Sequence, residues 1–206
     1  MSEAAVTDRA AVALRGRRLE YLTVAWNFLE GCVAVVAGLM AGSISLVGFG
    51  VDSFIEVSSA ATVLWRLRSD ADDQRRERRE RIAIRVVGGC FVALAVYIGY
   101  EAIRSLALRA APEHSIPGII LACLSLVIMP MLAAAKRKVG TALASGAMCA
   151  DAKQSDFCFY LSAILLAGLL LNALFGVWWA DPAAALVMTP IIAREGIRGI
   201  QAKGCC

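Results

Sequence analysis

Five acidic residues stand within long apolar runs of this chain: Glu30, Asp52, Glu56, Asp151 and Asp156. An ionisable group at the centre of a membrane-crossing helix costs about 2.5–3.5 kcal/mol on insertion scales, so each is a candidate functional residue. Lys153 is the nearest basic residue in sequence, and one lysine does not neutralise five acids. They must carry protons, reach water or bind cations. Asp52 and Glu56 form the strongest pair, because spacing i,i+4 sets them one turn apart on one helix face. Ser45, Gly48 and Ser59 share that face. Two like charges so close repel each other, and a divalent cation bound between them relieves the repulsion and displaces protons. Exchange of protons for metal is natural chemistry for such a pair. The other reading is a hydrogen-bonded contact between protonated acids on neighbouring helices.

Asp151 and Asp156 are five residues apart, about 140° around a helix of 3.6 residues per turn. They therefore belong to two stripes. Asp151, Ser155, Cys158 and Ser162 form one; Cys149, Ala152, Asp156, Tyr160 and Ala163 form the other. Asp156 opens the long apolar run and is expected deeper, with Asp151 nearer the mouth and Lys153 beside it. With one histidine, His114, a metal site here is built mainly from carboxylates.

The helices that hold these acids follow from composition. The 206 residues are 59 % apolar and 18 % charged, against roughly 45–50 % apolar in soluble domains. A chain this short does not bury so much apolar surface in a soluble core. A bilayer-crossing helix takes about 20 apolar residues. Six runs qualify: Tyr21–Met40, Ile44–Trp65, Val86 to about Ser105, Gly118–Ala135, a fifth starting between Thr141 and Ala150 and reaching Trp178, and a sixth from Pro182 to Ile192 that then turns amphipathic. Lys136-Arg137-Lys138 ends the fourth run. The fold class expected is all-α, a polytopic six-transmembrane-helix bundle. Five of the seven cysteines (Cys32, Cys90, Cys123, Cys149 and Cys158) lie in apolar runs and read as small packing residues.

Lys and Arg set orientation. Segments 1–20, 66–85, 136–138 and 194–206 hold 18 of the 21 basic residues, and six spans bring all four segments to one side. Both termini are therefore expected in the cytoplasm, and the net charge of +4 needs no nucleic-acid partner. The expected organisation is a cytoplasmic segment 1–19, a membrane domain 20–200 and a short tail 201–206. The first twenty residues lack the apolar core of a signal peptide. The charged stretch from Asp70 to Arg81 reads as a solvated helical extension, or as a peripheral cation site at Asp70, Asp72 and Asp73.

Four patterns together resemble the transmembrane domain of the cation diffusion facilitator family. Asn27-x-x-Glu30-Gly31 leads into Gly42-Ser43 and on to Asp52-x-x-x-Glu56, like the family's first and second spans. Tyr100-Glu-Ala-Ile-Arg-Ser-Leu106 is similar to its third-span ending, Ala150 to Asp156 to its fifth-span motif, and Trp179-Ala-Asp-Pro-Ala-Ala-Ala185 to the opening of its sixth span. The resemblance implies a six-helix exporter in which two residues of the second span and two of the fifth hold one metal ion, commonly exchanged for a proton. Asp52, Glu56 and Asp156 fall on three ligand positions. Ala152 stands on the fourth, so Asp151, Cys149, Gln154 or a water supplies that ligand. Asn27 and Glu30 are pathway candidates, as is Glu101. The resemblance covers the membrane domain without the family's cytoplasmic domain, so a homodimer would form through transmembrane helices, where Gly88 and Gly89 permit close packing.

The expected function is export of a divalent metal cation, as substrate, from a cell membrane, inner or plasma, with lipid, metal ions and protons as partners and no organic cofactor. Carboxylates favour hard ions, and zinc accepts them, which leaves zinc, iron, manganese, cobalt and cadmium open. The alternative is a membrane protein that binds metal for regulation without transporting it. A membrane enzyme is disfavoured, since neither a nucleophile–base pair nor a phosphate-cradling loop is present. Asp181 before Pro182 reads as the cap of the sixth span.

Overall fold

A computed structural model describes residues 3–68, 73–109, 112–143 and 145–201, with side chains undescribed at 3–10, 66–84, 86, 87 and 146. Of the candidate cation site, Asp70, Asp72 and the side chain of Asp73 lie outside that description, as does the tail beyond residue 201. Among the described residues the structure is all-helical: α1 Glu3–Ala41, α2 Ile44–Arg68, α3 Asp73–Leu108, α4 Ile116–Leu143, α5 Gly146–Phe175 and α6 Ala180–Ile200. Five of them are long and apolar enough to cross a bilayer; α6, with Pro190 inside it and Arg194, Glu195 and Arg198 near its end, falls short of that measure.

The helices pack mainly as three pairs, α1 with α2, α3 with α6 and α4 with α5, and α1 also lies against α4. Gly42 makes the α1–α2 turn at φ +64°, a left-handed conformation that side chains with a Cβ resist. Small residues then let α1 and α2 approach closely. A Cβ on Gly38 would stand 2.8 Å from the Val47 amide nitrogen, and one on Gly50 2.9 Å from that of Val35. Close backbone approach of this kind replaces the hydrophobic drive that is missing between helices in lipid. Ser145 caps α5 by accepting from the Met148 amide, which fixes the start of that helix at Gly146.

Apolar side chains from α1 to α6, among them Phe49, Phe91, Ile98, Met129, Leu161, Leu165 and Met188, form the principal core. Other large apolar residues point outward, such as Phe28, Tyr97, Val127, Met131 and Phe175, as a lipid-facing surface requires. Three expectations change at this level. α4 does not end at Lys136-Arg137-Lys138; it continues to Leu143, because its buried face repeats through the charged triplet at Leu132, Ala133, Lys136, Val139 and Gly140. Gly88 serves a contact inside the chain rather than a face free for a second copy. A Cβ there would lie 2.7 Å from the Gly196 carbonyl oxygen, where α3 meets α6, whereas Gly89 has open space beside it. Asp181 does not cap its own helix. Its carboxylate accepts from Ser43 Oγ at 2.6 Å, from the Ile44 amide at 3.0 Å and from Ser45 Oγ, and so caps α2.

Candidate metal centre

The acidic groups gather between α1, α2, α4 and α5. Asp52 and Glu56 occupy the inner face of α2 as their spacing requires, 1 % and 0 % exposed. Glu30 on α1 is fully buried and accepts from Ser53 Oγ at 2.9 Å. The Cys158 thiol of α5 donates to the same Glu30 oxygen at 3.9 Å. Asp52 lies within Coulombic reach of both Glu56 and Glu30. Asn27, one turn from Glu30, is buried, and its amide donates to the Thr23 carbonyl.

Asp151 is the α5 acid that faces this interior. It accepts from Ser59 Oγ of α2 at 2.8 Å and from Lys136 Nζ of α4 at 2.5 Å. Ser155, one turn further along α5, donates to Glu56 Oε1 at 2.5 Å and accepts from Lys136 Nζ at 3.0 Å. The α5 stripe of Asp151, Ser155, Cys158 and Ser162 is thus the buried one. Asp156 belongs to the other stripe. It sits at the edge of the bundle in an ion pair with Arg137, the two side chains 36 % and 56 % exposed. This corrects its expected place beside Asp52: the helix cannot turn Asp151 and Asp156 inward together, and packing selects Asp151. Gln154 is half-buried, its Nε2 without a partner among the described residues, and Cys149 packs half-buried where α4 passes α5. Glu101 is half-buried and pairs with the exposed Arg104 at 3.1 Å.

The largest departure from sequence expectation is Lys136. It is fully buried, and its ammonium lies 2.5 Å from Asp151, 3.7 Å from Glu56 and 3.8 Å from Glu20. The nearby base expected to matter, Lys153, is exposed. Glu20, placed by sequence at the edge of the membrane domain, is also fully buried. Among the described residues no three His, Cys, Asp or Glu side chains are grouped so as to hold an ion. The three carboxylates that do converge, Glu20, Glu56 and Asp151, converge on the lysine. Five buried carboxylate oxygens have no hydrogen-bond partner among the described residues: both of Glu20, Glu30 Oε1, Asp52 Oδ1 and Glu56 Oε2. A buried acceptor without a donor costs about 1–3 kcal/mol, and more when charged.

Comparison with known proteins agrees with this architecture. The profile of the cation efflux transmembrane domain matches residues 21–200. The chain belongs to that family, and it is a multi-pass membrane protein. It is 29 % identical over 183 residues to transmembrane protein 163 of Xenopus laevis, covering 87 % of this chain and 64 % of the relative. It is 26 % identical over 179 residues to an uncharacterized transporter of Methanocaldococcus jannaschii, covering 84 % and 63 %. The chain therefore spans just under two thirds of the length of these relatives.

Proposed function

We propose that this protein exports a divalent metal cation in exchange for protons, through a site of Asp52 and Glu56 on α2 and Asp151 on α5. Glu30, Ser155 and Cys158 border that site, and Asn27 lies a turn away along α1. The observation that carries the reading is the surplus of buried carboxylates, five of whose oxygens lack a donor, in the interior of a cation-efflux domain. An ion entering this acidic interior exchanges with protons held there, which couples the two fluxes. Oxygen ligands suit manganese and iron(II), while zinc, cobalt and cadmium also accept carboxylates. Cys158 adds a soft donor within reach of Glu30. The membrane in which this exchange runs is a cell membrane, inner or plasma.

The test is flux into proteoliposomes across zinc, iron(II), manganese, cobalt and cadmium, with a pH-sensitive dye inside. At least one ion is expected to move, with an opposite pH change. Asp52→Asn and Glu56→Gln should lower that flux at least a hundredfold while the protein still inserts. In a second reading the protein binds metal without transporting it, the ion pairs of Lys136 with Glu20, Glu56 and Asp151 tying α1, α2, α4 and α5 together against the movement that transport needs. Saturable binding with no flux of any of the five ions would establish it instead.

A further inference from the structure

We propose that the Lys136 ammonium is a tethered surrogate for the transported cation: it holds Asp151 and Glu56 when the site is empty, and the incoming ion displaces it toward the α4–α5 turn. The proposal rests on the transport site inferred above. Lys136 is the one buried base among the described residues, and its contacts come from three other helices. It meets Glu20 of α1, Glu56 of α2, and Asp151 with Ser155 of α5. A structural ion pair needs one acid, with the remaining oxygens of the partners bonded elsewhere. Here one cation is shared among three carboxylates, and three of their six oxygens are otherwise unpartnered. Three carboxylates thus lean on one ammonium, with fewer donors among the described residues than their oxygens can take.

The geometry also provides somewhere for the lysine to go. Lys136 lies twenty residues below the start of α4, near the helix end where Arg137 and Lys138 are exposed. Its long stem allows the head to swing along the helix surface toward water without moving the backbone. A divalent ion outcompetes it because two charges on one centre interact more strongly with two carboxylates than one does. Return of the ammonium to Asp151 then helps expel the ion on the far side and leaves no bare cluster behind.

Two measurements on the full chain in detergent micelles test this, with Zn²⁺, Mn²⁺ and Co²⁺ titrated separately. First, Lys136→Gln should bind the ions on the order of tenfold tighter than wild type, the size expected from removing one close charge interaction. Lys136→Arg, which keeps the charge, should stay within about threefold of wild type, about 0.7 kcal/mol. Second, saturating metal should raise acylation of Lys136 in the wild-type protein several-fold, read by mass spectrometry, while the exposed Lys153 is unchanged. This second measurement needs no variant and so stands even if Lys136→Gln does not fold. Unchanged or weaker binding by folded Lys136→Gln, or labelling of Lys136 that ignores metal, overturns the surrogate role. If wild type binds none of the three ions in these titrations and moves none of the five in vesicles, the transport reading itself fails, an outcome distinct from a wild type that binds with its lysine undisturbed.

Discussion

At the end of the bundle where α1 turns into α2, Asp181 is 1 % exposed and both of its oxygens are engaged. One takes the hydroxyls of Ser43 and Ser45, the other the Ile44 amide. Towards the other end, Glu20, Glu56 and Asp151 are equally buried but share a single ammonium, and half of their oxygens lack a hydrogen-bond donor. Both regions bury carboxylates, yet they solve the desolvation problem differently. Asp181 is satisfied by neutral donors and by the positive end of the α2 dipole, which needs no mobile partner. The inner cluster is left short of positive charge. A carboxylate whose bonds are complete acts as a clasp; the transport reading gives the incomplete ones to a cation.

The sharpest way to break this distinction is Asp181→Ala. It removes three hydrogen bonds to one carboxylate, takes the acceptor from the Ile44 amide and leaves the Ser43 and Ser45 hydroxyls only their 3.5 Å contact with each other and the Leu46 amide on Ser43. The expected cost is about 2–4 kcal/mol of stability, from charge-assisted bonds of roughly 1.5–3 kcal/mol each, partly offset by relaxation. Thermal unfolding in detergent should show it, with metal affinity of the surviving folded fraction within about threefold of wild type. A large affinity loss without a stability loss would make Asp181 part of the pathway and erase the contrast.

A smaller effect is expected where α6 is tied at its other end. Gly88→Ala pushes a methyl group to 2.7 Å from backbone atoms of Gly196 and Ile200, which cannot rotate aside. Helices α3 and α6 must then separate, at a cost of about 1–3 kcal/mol. Gly89→Ala meets open space and should be neutral or raise stability by up to about 1 kcal/mol through helix propensity. Comparing the two unfolding temperatures checks that the close approach lies within the chain. Equal loss in both would instead mean that Gly89 also packs against something, as a helix-mediated dimer requires.

Much of this architecture was legible because lipid permits few solutions. Run lengths and turn residues marked the helices, and i,i+4 spacing put Asp52 and Glu56 on one face. The failures have physical causes. Lys136 read as a helix terminator because it stands in a basic triplet, yet the buried period of α4 passes through that triplet, and only residue 136 falls on it. Following Leu132, Ala133, Val139 and Gly140 through the charges would have found it. Glu20 was lost in the same way, one residue before the apolar run. The two stripes of α5 were visible, but choosing between them required knowing which face meets α2. Motif alignment favoured Asp156, and packing favours Asp151.

That choice gives the smallest expected effect and a discriminating one. The Asp156–Arg137 pair is over a third exposed on both sides, and such pairs contribute about 0–1 kcal/mol. Asp156→Asn should therefore leave stability within that range and flux within about threefold of wild type, measured in the same vesicles as Asp52→Asn. Asp151→Asn, five residues away, should abolish flux, because it strips the proposed α5 ligand and leaves the lysine to Glu56 and Glu20. If instead Asp156→Asn abolishes transport and Asp151→Asn spares it, α5 must rotate by about 140° in the transporting state, from five residues at 3.6 per turn. The inward stripe described here would then belong to a closed conformation whose lysine pairing locks α5 in place.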